Sequence, residues 1–541
     1  MKFRIRTASL GFFLTAWNAQ CAEPQSGIRP ERELFITNPK VVDNARAKYP
    51  GPWSFGGLVN ELVGEDKAAE CMRAWLETWV LKQTVNGFEV PTRPGIMTKV
   101  IEPWQKRDGF DPKSGKPWKP KVENAPFRLL AIVNRMDLCA SQVADVLGNT
   151  RTLWSKEGKL PIFEALLDRA TQSTAIPKDD TRKKIIIPAL LPIDPAAFDL
   201  RTGIKRPHAG SAGSFGPYGF HAGPAGQELA FGEGRFIFGA VDEKGRPLEG
   251  GWTVIFEYRL PGMKDPKKTA AAKPAENPKV PVQNPVKNPV RNRTLREWAT
   301  QWHMLASEET GNVVFNSRLE NLTREFTHKA PWNDTPPLGQ LRTSEAAFGA
   351  GREFRQFTLD QEQFKLSPLA QTPAAEFAKK DGPETRVLAQ FLREGAPLIR
   401  SGIHIIPEAF ALRDGKTPVL GGNAIIPAEN PAFQWNPRQG VPNVVRRVFS
   451  LNTCTGCHAG ETDCSGLHVA PRQEGSYAVL SAFLRTDGTP HHVYDKASGQ
   501  KVEFREMEER AAIFAALLDR TDQKRMEDLR AVLRERIGRS H

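Results

Sequence analysis

Hydrophobic residues recur at helical spacing in several separate stretches of the chain. The clearest run covers residues 66–85, where the apolar positions fall on one helical face and Asn86-Gly87 follows. This spacing predicts an amphipathic helix, and its tryptophans, Trp75 and Trp79, are expected in the core because aromatic residues dominate buried faces. The same pattern predicts helices at residues 54–63, 294–305, 315–328 and 383–394.

Runs rich in β-branched and aromatic residues, with alternating polarity, predict strands between these helices. They cover residues 127–133, 235–241, 252–260 and 353–359. A turn region at residues 242–251 predicts that the second and third runs pair antiparallel. Within the third run, Glu257 and Arg259 share one face by alternation, which indicates a solvated ion pair. The sequence therefore predicts an α+β fold, with a mixed α/β region over residues 23–440.

Two stretches of this region show neither the helical spacing nor the strand alternation of apolar residues. Residues 262–293 are a low-complexity segment rich in Pro, Lys and Asn, which favours an extended inserted loop or a linker. Residues 396–439 are Pro-rich and are predicted to be an irregular boundary zone. From residue 441 an apolar helical face leads towards Cys454, and further helices are predicted at 477–484 and 503–537. The sequence thus predicts a second, small and mainly α-helical domain over residues 441–541.

The start of this predicted domain contains Cys454-Thr-Gly-Cys457-His458, the pattern of covalent haem c attachment. Two thiols at this spacing each form a thioether to one haem vinyl group, and the adjacent imidazole binds the iron. Gly456 between them would let the backbone run close to the porphyrin edge. The pattern predicts one covalent haem c.

A helix that enters Cys-x-x-Cys-His, followed by a closing helix, resembles a class I cytochrome c domain. The resemblance implies that Cys454 and Cys457 are the thioether ligands and that His458 is the proximal iron ligand. Proteins of that class usually offer a Met as the sixth ligand. Here both C-terminal candidates, Met507 and Met526, fall inside the predicted closing helix.

The sixth ligand therefore has other candidates. His468 is preferred, because the loop at residues 460–466 would let a second imidazole cross the haem edge. The pair His491-His492 and an open distal site are alternatives. A structural zinc site is a further alternative, since Cys454, Cys457, Cys464 and His468 would form a Cys3His set.

A wider resemblance covers most of the chain. Residues 125–137, 232–236, 256–258, 340–343 and 452–472 look like segments of a set of large exported bacterial proteins of unknown activity. This resemblance does not indicate which reaction the protein carries out. It does indicate that the Cys-x-x-Cys-His motif is a regular feature of such proteins and not a chance match.

The N-terminus and the composition change the expected location. Basic residues followed by an apolar stretch predict a signal peptide over residues 1–22, with lipidation of Cys21 and attachment to a membrane surface as an alternative. This predicts a periplasmic, outer-membrane or cell-surface protein. Such compartments permit disulfides, and Cys71 with Cys139 is the pair considered.

The chain has 75 Lys and Arg against 62 Asp and Glu, a net charge of +13. Without an aromatic and basic nucleic-acid signature, this charge indicates a basic surface that suits an acidic partner. The sequence as a whole predicts electron transfer with an unidentified redox partner rather than an enzyme. A haem enzyme of the peroxidase or oxygenase type with an open distal site, and a non-enzymatic envelope protein with the zinc site, are the alternatives.

Overall fold

The computed structural model describes residues 27–137, 198–199, 203–204, 230–261, 295–328 and 337–518, with short gaps at 380–381, 397–398, 400–403, 405, 413–414, 437–439 and 465. The predicted signal peptide, the insert at residues 262–293, and Cys21, Cys139 and Met526 lie outside the described residues. The predictions that rest on them stay predictions.

An eight-stranded antiparallel sheet organises the described part of the chain. Its strands pair in the order β1-β4-β7-β8-β9-β10-β11, and β14 pairs with β10 beside β11. The strands of this sheet are β1 (Phe35–Ile36), β4 (Phe127–Arg135), β7 (Ala230–Ala240), β8 (Trp252–Pro261), β9 (Leu338–Glu345), β10 (Arg352–Asp360), β11 (Gln363–Ser367) and β14 (Asn423–Ile426).

The remaining strands form two-stranded antiparallel pairs. They are β2 (Gln83–Val85) with β3 (Phe88–Val90), β5 (Phe198–Asp199) with β6 (Gly203–Ile204), β12 (Ala409–Leu412) with β13 (Gly415–Pro418), and β15 (His491–Asp495) with β16 (Gln500–Phe504).

Helices pack against several strands of the sheet. The helices are α1 (Pro30–Glu33), α2 (Pro39–Val42), α3 (Phe55–Val63), α4 (Glu65–Val80), α5 (Glu102–Arg107), α6 (Leu295–His303), α7 (Val313–Thr327), α8 (Pro383–Glu394), α9 (Asn443–Leu451), α10 (Cys454–Cys457) and α11 (Glu506–Leu518). None of the described helices is both long and apolar enough to cross a membrane.

The first face of the sheet carries the aromatic core. Trp252 of β8 stacks on Trp75 of α4 with ring centroids 5.5 Å apart, and Trp79 packs edge-on against both rings. Phe55 of α3 stacks on Phe127 of β4 at 4.2 Å. The predicted amphipathic helix is therefore confirmed, and its tryptophans are fully buried. The helix predicted at residues 54–63 is observed as α3, and the strand predicted at residues 127–133 is observed as β4, each within two residues of the predicted ends.

The second face of the sheet is polar but also buried. Glu257, which the sequence predicted in a solvated pair with Arg259, is 1% exposed, and Arg259 is 7% exposed. Glu257 instead lies 3.2 Å from Arg235 on β7 and accepts a hydrogen bond from Gln340 on β9. The prediction of a solvated pair is thus wrong, because both side chains are buried and Glu257 has partners on the neighbouring strands.

The C-terminal part of the chain packs on part of this second face. At Gly239 and Gly251, an added Cβ would lie 2.9 Å from Pro471 and from Leu467 respectively, so residues 467–471 pack closely on the sheet. Phe483, Phe514 and Leu517 join the same hydrophobic cluster as Trp252. Residues from 469 onwards therefore contribute to the core of the sheet, whereas Val445 and Phe449 belong to a separate cluster with Leu388 and Trp435.

A small, mainly helical domain over residues 441–541 is not confirmed. Its predicted first helix is present as α9, but residues 477–484 contain only a 3₁₀ turn at Ala482–Leu484. The predicted helix over 503–537 begins later, as α11, and the strand β16 precedes it. Likewise, the predicted irregular zone at 396–439 contains β12, β13 and β14.

Candidate functional site

The Cys-x-x-Cys-His motif forms one short helical turn, α10, directly after α9. Thr453 caps this turn, since its hydroxyl accepts the Gly456 N–H at 2.9 Å. The indole N–H of Trp435 lies 3.0 Å from the hydroxyls of both Thr453 and Thr455. These buried hydrogen bonds fix the orientation of the turn.

Gly456 is required for close packing within the protein. A Cβ at this position would lie 2.1 Å from the Ser450 carbonyl oxygen. The sequence explained this glycine by approach to a porphyrin edge, whereas the structure supplies a sufficient reason in the preceding helix.

Cysteine and histidine side chains cluster after this turn. One potential ligand atom from each of His458, Cys464 and His468 lies within 4.8 Å of the other two. The Cys457 sulfur lies 3.3 Å from His468 Nε2 and so contacts this group through one member. We call His458, Cys464 and His468 the triad.

Hydrogen bonds hold both imidazoles of the triad in fixed orientations. His458 Nδ1 lies 2.9 Å from the Gly466 carbonyl oxygen. Because a carbonyl only accepts, Nδ1 carries the proton, which leaves a lone pair on His458 Nε2. His468 Nδ1 lies 2.8 Å from the Ser481 hydroxyl, and the Ser481 N–H donates to the His468 carbonyl at 2.9 Å. Such outer partners are typical of metal-binding histidines.

The Cys464 sulfur also has defined donors. The backbone N–H groups of Gly466 and Leu467 hydrogen-bond to it. Gly466 makes this turn possible, since it adopts a φ of +99° and a Cβ there would lie 2.1 Å from Arg352 Nε. One tight turn therefore orients both Cys464 and His458.

Cys454 is not a member of the triad, although it shares neighbours with His458. Its side chain packs at the edge of a small hydrophobic cluster around Phe354, Leu369 and Ile426. Its thiol lies near enough to Arg342 to influence the pKa of that guanidinium. Its backbone N–H donates to the Thr372 hydroxyl at 2.9 Å.

Burial sets the protonation of the triad without a metal. It lowers the pKa of His458 to about 4; the hydrogen bond to the Gly466 carbonyl opposes this shift, and nearby Arg352 and Arg342 add to it. Burial also lowers the pKa of His468 well below its ordinary value. For Cys464, burial raises the pKa to about 11 although the backbone donors oppose this. The pKa of Cys457 is likewise raised by burial. Neutral imidazoles are therefore ready to bind a cation, and the thiols must lose protons to do so.

Two buried arginines fasten the segment that carries the triad. Arg446 of α9 lies 2.5 Å from Glu461 and 2.9 Å from Asp495 of β15. Arg472 binds both carboxylate oxygens of Asp43 at 2.7 Å, and it also donates to the Leu129 carbonyl at 2.8 Å. Arg472 thus joins the C-terminal segment to the N-terminal part of the chain.

The structure brings together three of the four residues predicted to bind haem or iron, but not around one common point. Cys457, His458 and His468 lie in or beside the triad, and Cys454 faces Arg342. Of the alternative sixth ligands, His491 hydrogen-bonds to the Thr462 carbonyl at 2.7 Å, His492 is exposed, and Met507 is buried in the main core. Ser481 was missed, because no local motif links it to His468.

The arrangement does not fit a haem held between His458 and His468. A metal lies about 2 Å from a bound imidazole nitrogen, so rings on opposite sides of one iron have centroids roughly 6 Å apart. The two centroids are 4.4 Å apart and the rings are inclined by 54°. Phe354 lies 5.0 Å from the His458 ring on another side. The imidazoles are thus close enough to share one small ion.

Comparison of the chain with known protein families, with curated proteins and with solved structures finds no match.

Proposed function

We propose that the C-terminal segment binds one transition-metal ion through His458, Cys464 and His468, with the adjacent Cys457 sulfur as the fourth ligand. The observation that carries this proposal is the mutual approach of the three ligand atoms to within 4.8 Å. Two nitrogens, or a nitrogen and a sulfur, on one tetrahedral zinc are separated by about 3.3–3.6 Å. The ligand atoms of the triad would therefore have to approach one another by up to about 1.5 Å to enclose an ion.

The same ion would fasten the segment to the sheet. His458 packs against Phe354 of β10, and residues 467–471 pack on β7 and the start of β8. A metal that joins residues 457–468 would hold both contacts in place. This proposal differs from the Cys3His alternative in one ligand, because His458 replaces Cys454.

Metal titration of the full-length chain tests the proposal. Protein freed of metal by a chelator is expected to bind one Zn(II), and one Co(II) with the visible spectrum of a tetrahedral site that includes sulfur. Cys454→Ala is the matched variant, because it removes a motif cysteine without touching the triad. We expect this variant to keep one ion per chain. Failure of both metals to bind the wild-type protein would refute the proposal.

A covalent haem c, with His458 as its protein ligand and electron transfer as its role, is the second candidate. The Cys-x-x-Cys-His motif and the free Nε2 of His458 favour it. Haem would supply a redox-active iron when bound. Protein expressed with haem-attachment machinery would then retain its colour after denaturation, and Cys454→Ala would lose one thioether. Colourless protein with one bound zinc would exclude this candidate.

Ser481 is expected to set the affinity of the centre by orienting His468. Ser481→Ala removes the hydroxyl 2.8 Å from His468 Nδ1 and should weaken zinc binding by roughly 10- to 100-fold, the usual cost of losing an outer partner. Competition with a coloured chelator measures the change. Ser476→Ala, which alters a hydroxyl bonded to the Gln473 carbonyl, serves as the control. Equal affinities for both variants would contradict a role for Ser481.

A further inference from the structure

We infer that the triad takes copper and transfers single electrons, with His458, His468 and Cys464 as close ligands and Cys457 as a more remote fourth. This inference rests on the proposed function, because it assigns an identity and a role to the ion. Its steps follow from the number, placement and hydrogen bonds of the ligands.

The first step is the composition of the group. The atoms that all approach one another within 4.8 Å belong to two imidazoles and one cysteine, and Cys457 is left outside this group although it contacts His468. Structural zinc sites surround the ion with four comparable ligands. Two histidines and one cysteine, with a weaker fourth donor, form the ligand set of mononuclear copper centres that transfer electrons.

The second step concerns the sulfur. The Gly466 and Leu467 N–H groups both hydrogen-bond to Cys464, and hydrogen bonds to the cysteine sulfur tune the potential of such copper centres. The positive φ of Gly466 directs these donors. A cysteine that only fills space would not require this turn.

The third step concerns rigidity. His458 is held by the Gly466 carbonyl and His468 by the Ser481 hydroxyl. Ligands fixed by outer partners change little between Cu(I) and Cu(II), which favours fast electron exchange. The redox step is Cu(II) plus one electron giving Cu(I); no bond within the protein breaks, and a protein one-electron carrier supplies or accepts the electron.

The fourth step concerns access. His458 and His468 are each partly exposed as residues, so the triad lies close to the protein surface although its imidazoles are largely desolvated. Arg352 and Arg342 lie around His458, and Arg510 lies near His468. Arg342 and Arg510 are largely buried and are paired with Glu257 and Glu506, so the charge around the triad is balanced and sets no preference for an acidic carrier.

Copper titration of the metal-free full-length protein tests the inference. One equivalent of Cu(II) is expected to produce an intense visible sulfur-to-copper charge-transfer absorption. Ascorbate should bleach it and ferricyanide should restore it, with copper still bound. Cys464→Ser is expected to lose the absorption, and Cys454→Ser is expected to keep it.

Two outcomes would overturn the inference. One is tight zinc binding together with Cu(II) binding that shows no sulfur-to-copper absorption, which leaves the ion site intact and removes only the redox role. The other is reduction of Cu(II) accompanied by a disulfide between protein cysteines, in place of reversible cycling. If neither Zn(II) nor Cu(II) binds, the proposed function fails as well.

Discussion

Replacing Cys464 by Ala is expected to abolish tight binding of the metal ion. Cys464 is the one cysteine of the triad, it is 5% exposed, and two backbone N–H groups orient its sulfur. Loss of a direct ligand should cost more than the roughly 10- to 100-fold that loss of an outer partner costs. Competition between the protein and a coloured chelator for Zn(II) gives the affinity.

The same variant should lose the stabilisation that zinc provides. An ion that binds only the folded state stabilises it by about 2.7 kcal/mol at a free concentration 100 times the dissociation constant. Zinc should therefore raise the Tm of the wild-type protein but not that of Cys464→Ala. Cys71→Ala provides the control, because Cys71 is a buried thiol of α4 in the aromatic core. An equal zinc response in Cys464→Ala would remove Cys464 from the centre.

Replacing Arg472 by Leu is expected to lower the free energy of unfolding by about 3–5 kcal/mol, the usual cost of removing one partner from a buried ion pair. The Arg472 side chain is 1% exposed and makes two 2.7 Å contacts with Asp43. The substitution leaves the Asp43 carboxylate and the Leu129 carbonyl without this donor. Denaturant unfolding with a common slope measures the change.

Lys48→Met offers the matched control for Arg472→Leu. Lys48 pairs with Glu474 at 2.8 Å in the same region, but both side chains are more than half exposed. Exposed pairs contribute about 1 kcal/mol or less. A loss from Arg472→Leu no larger than that from Lys48→Met would show that Arg472 does not clamp the two parts of the chain.

The Arg472 clamp should also make stability depend on pH in acid. Burial by itself would raise the pKa of Asp43, but hydrogen bonds from Arg472 and Gly475 outweigh burial and lower it below its ordinary value of 3.8. As the pH falls, Asp43 is therefore protonated in the unfolded state before it is protonated in the folded state. The contribution of the clamp is present above pH 3.8 and is lost as the pH falls through the lower folded pKa. Wild-type and Arg472→Leu stabilities should accordingly converge at strongly acid pH.

The spacing of apolar residues correctly predicted several helices and strands. The helix α8 and the strands β8 and β10 were predicted within two residues of their ends, because their apolar positions repeat with one clear period. The pair β15–β16 was missed. Its strands are only five residues each, and charged residues of β16 run directly into the helical pattern of α11.

The burial of one part of the chain by a segment distant in sequence could not be predicted from the spacing of apolar residues. Glu257 sits at a position that alternation assigns to solvent, yet it is 1% exposed, and residues 467–471 pack on the same face of the sheet at Gly239 and Gly251. The triad was partly predictable, since His458, Cys464 and His468 lie within eleven consecutive residues. Ser481 contacts His468 and Arg472 contacts Asp43, and no local sequence pattern predicts either contact.

Arg472 and Asp43 are 429 residues apart in the chain, so their contact forms only after all the intervening residues have been synthesised. Closing so long a loop delays the contact relative to pairing within the sheet. The sheet must therefore assemble before the segment with the cysteines docks on it. Until then the thiols at 454, 457 and 464 remain accessible to oxidants, to metal carriers and to modifying enzymes. If the triad binds an ion as proposed, loading of that ion would be a late event in biogenesis, and a bound ion would mark a chain whose C-terminal segment has docked on the sheet.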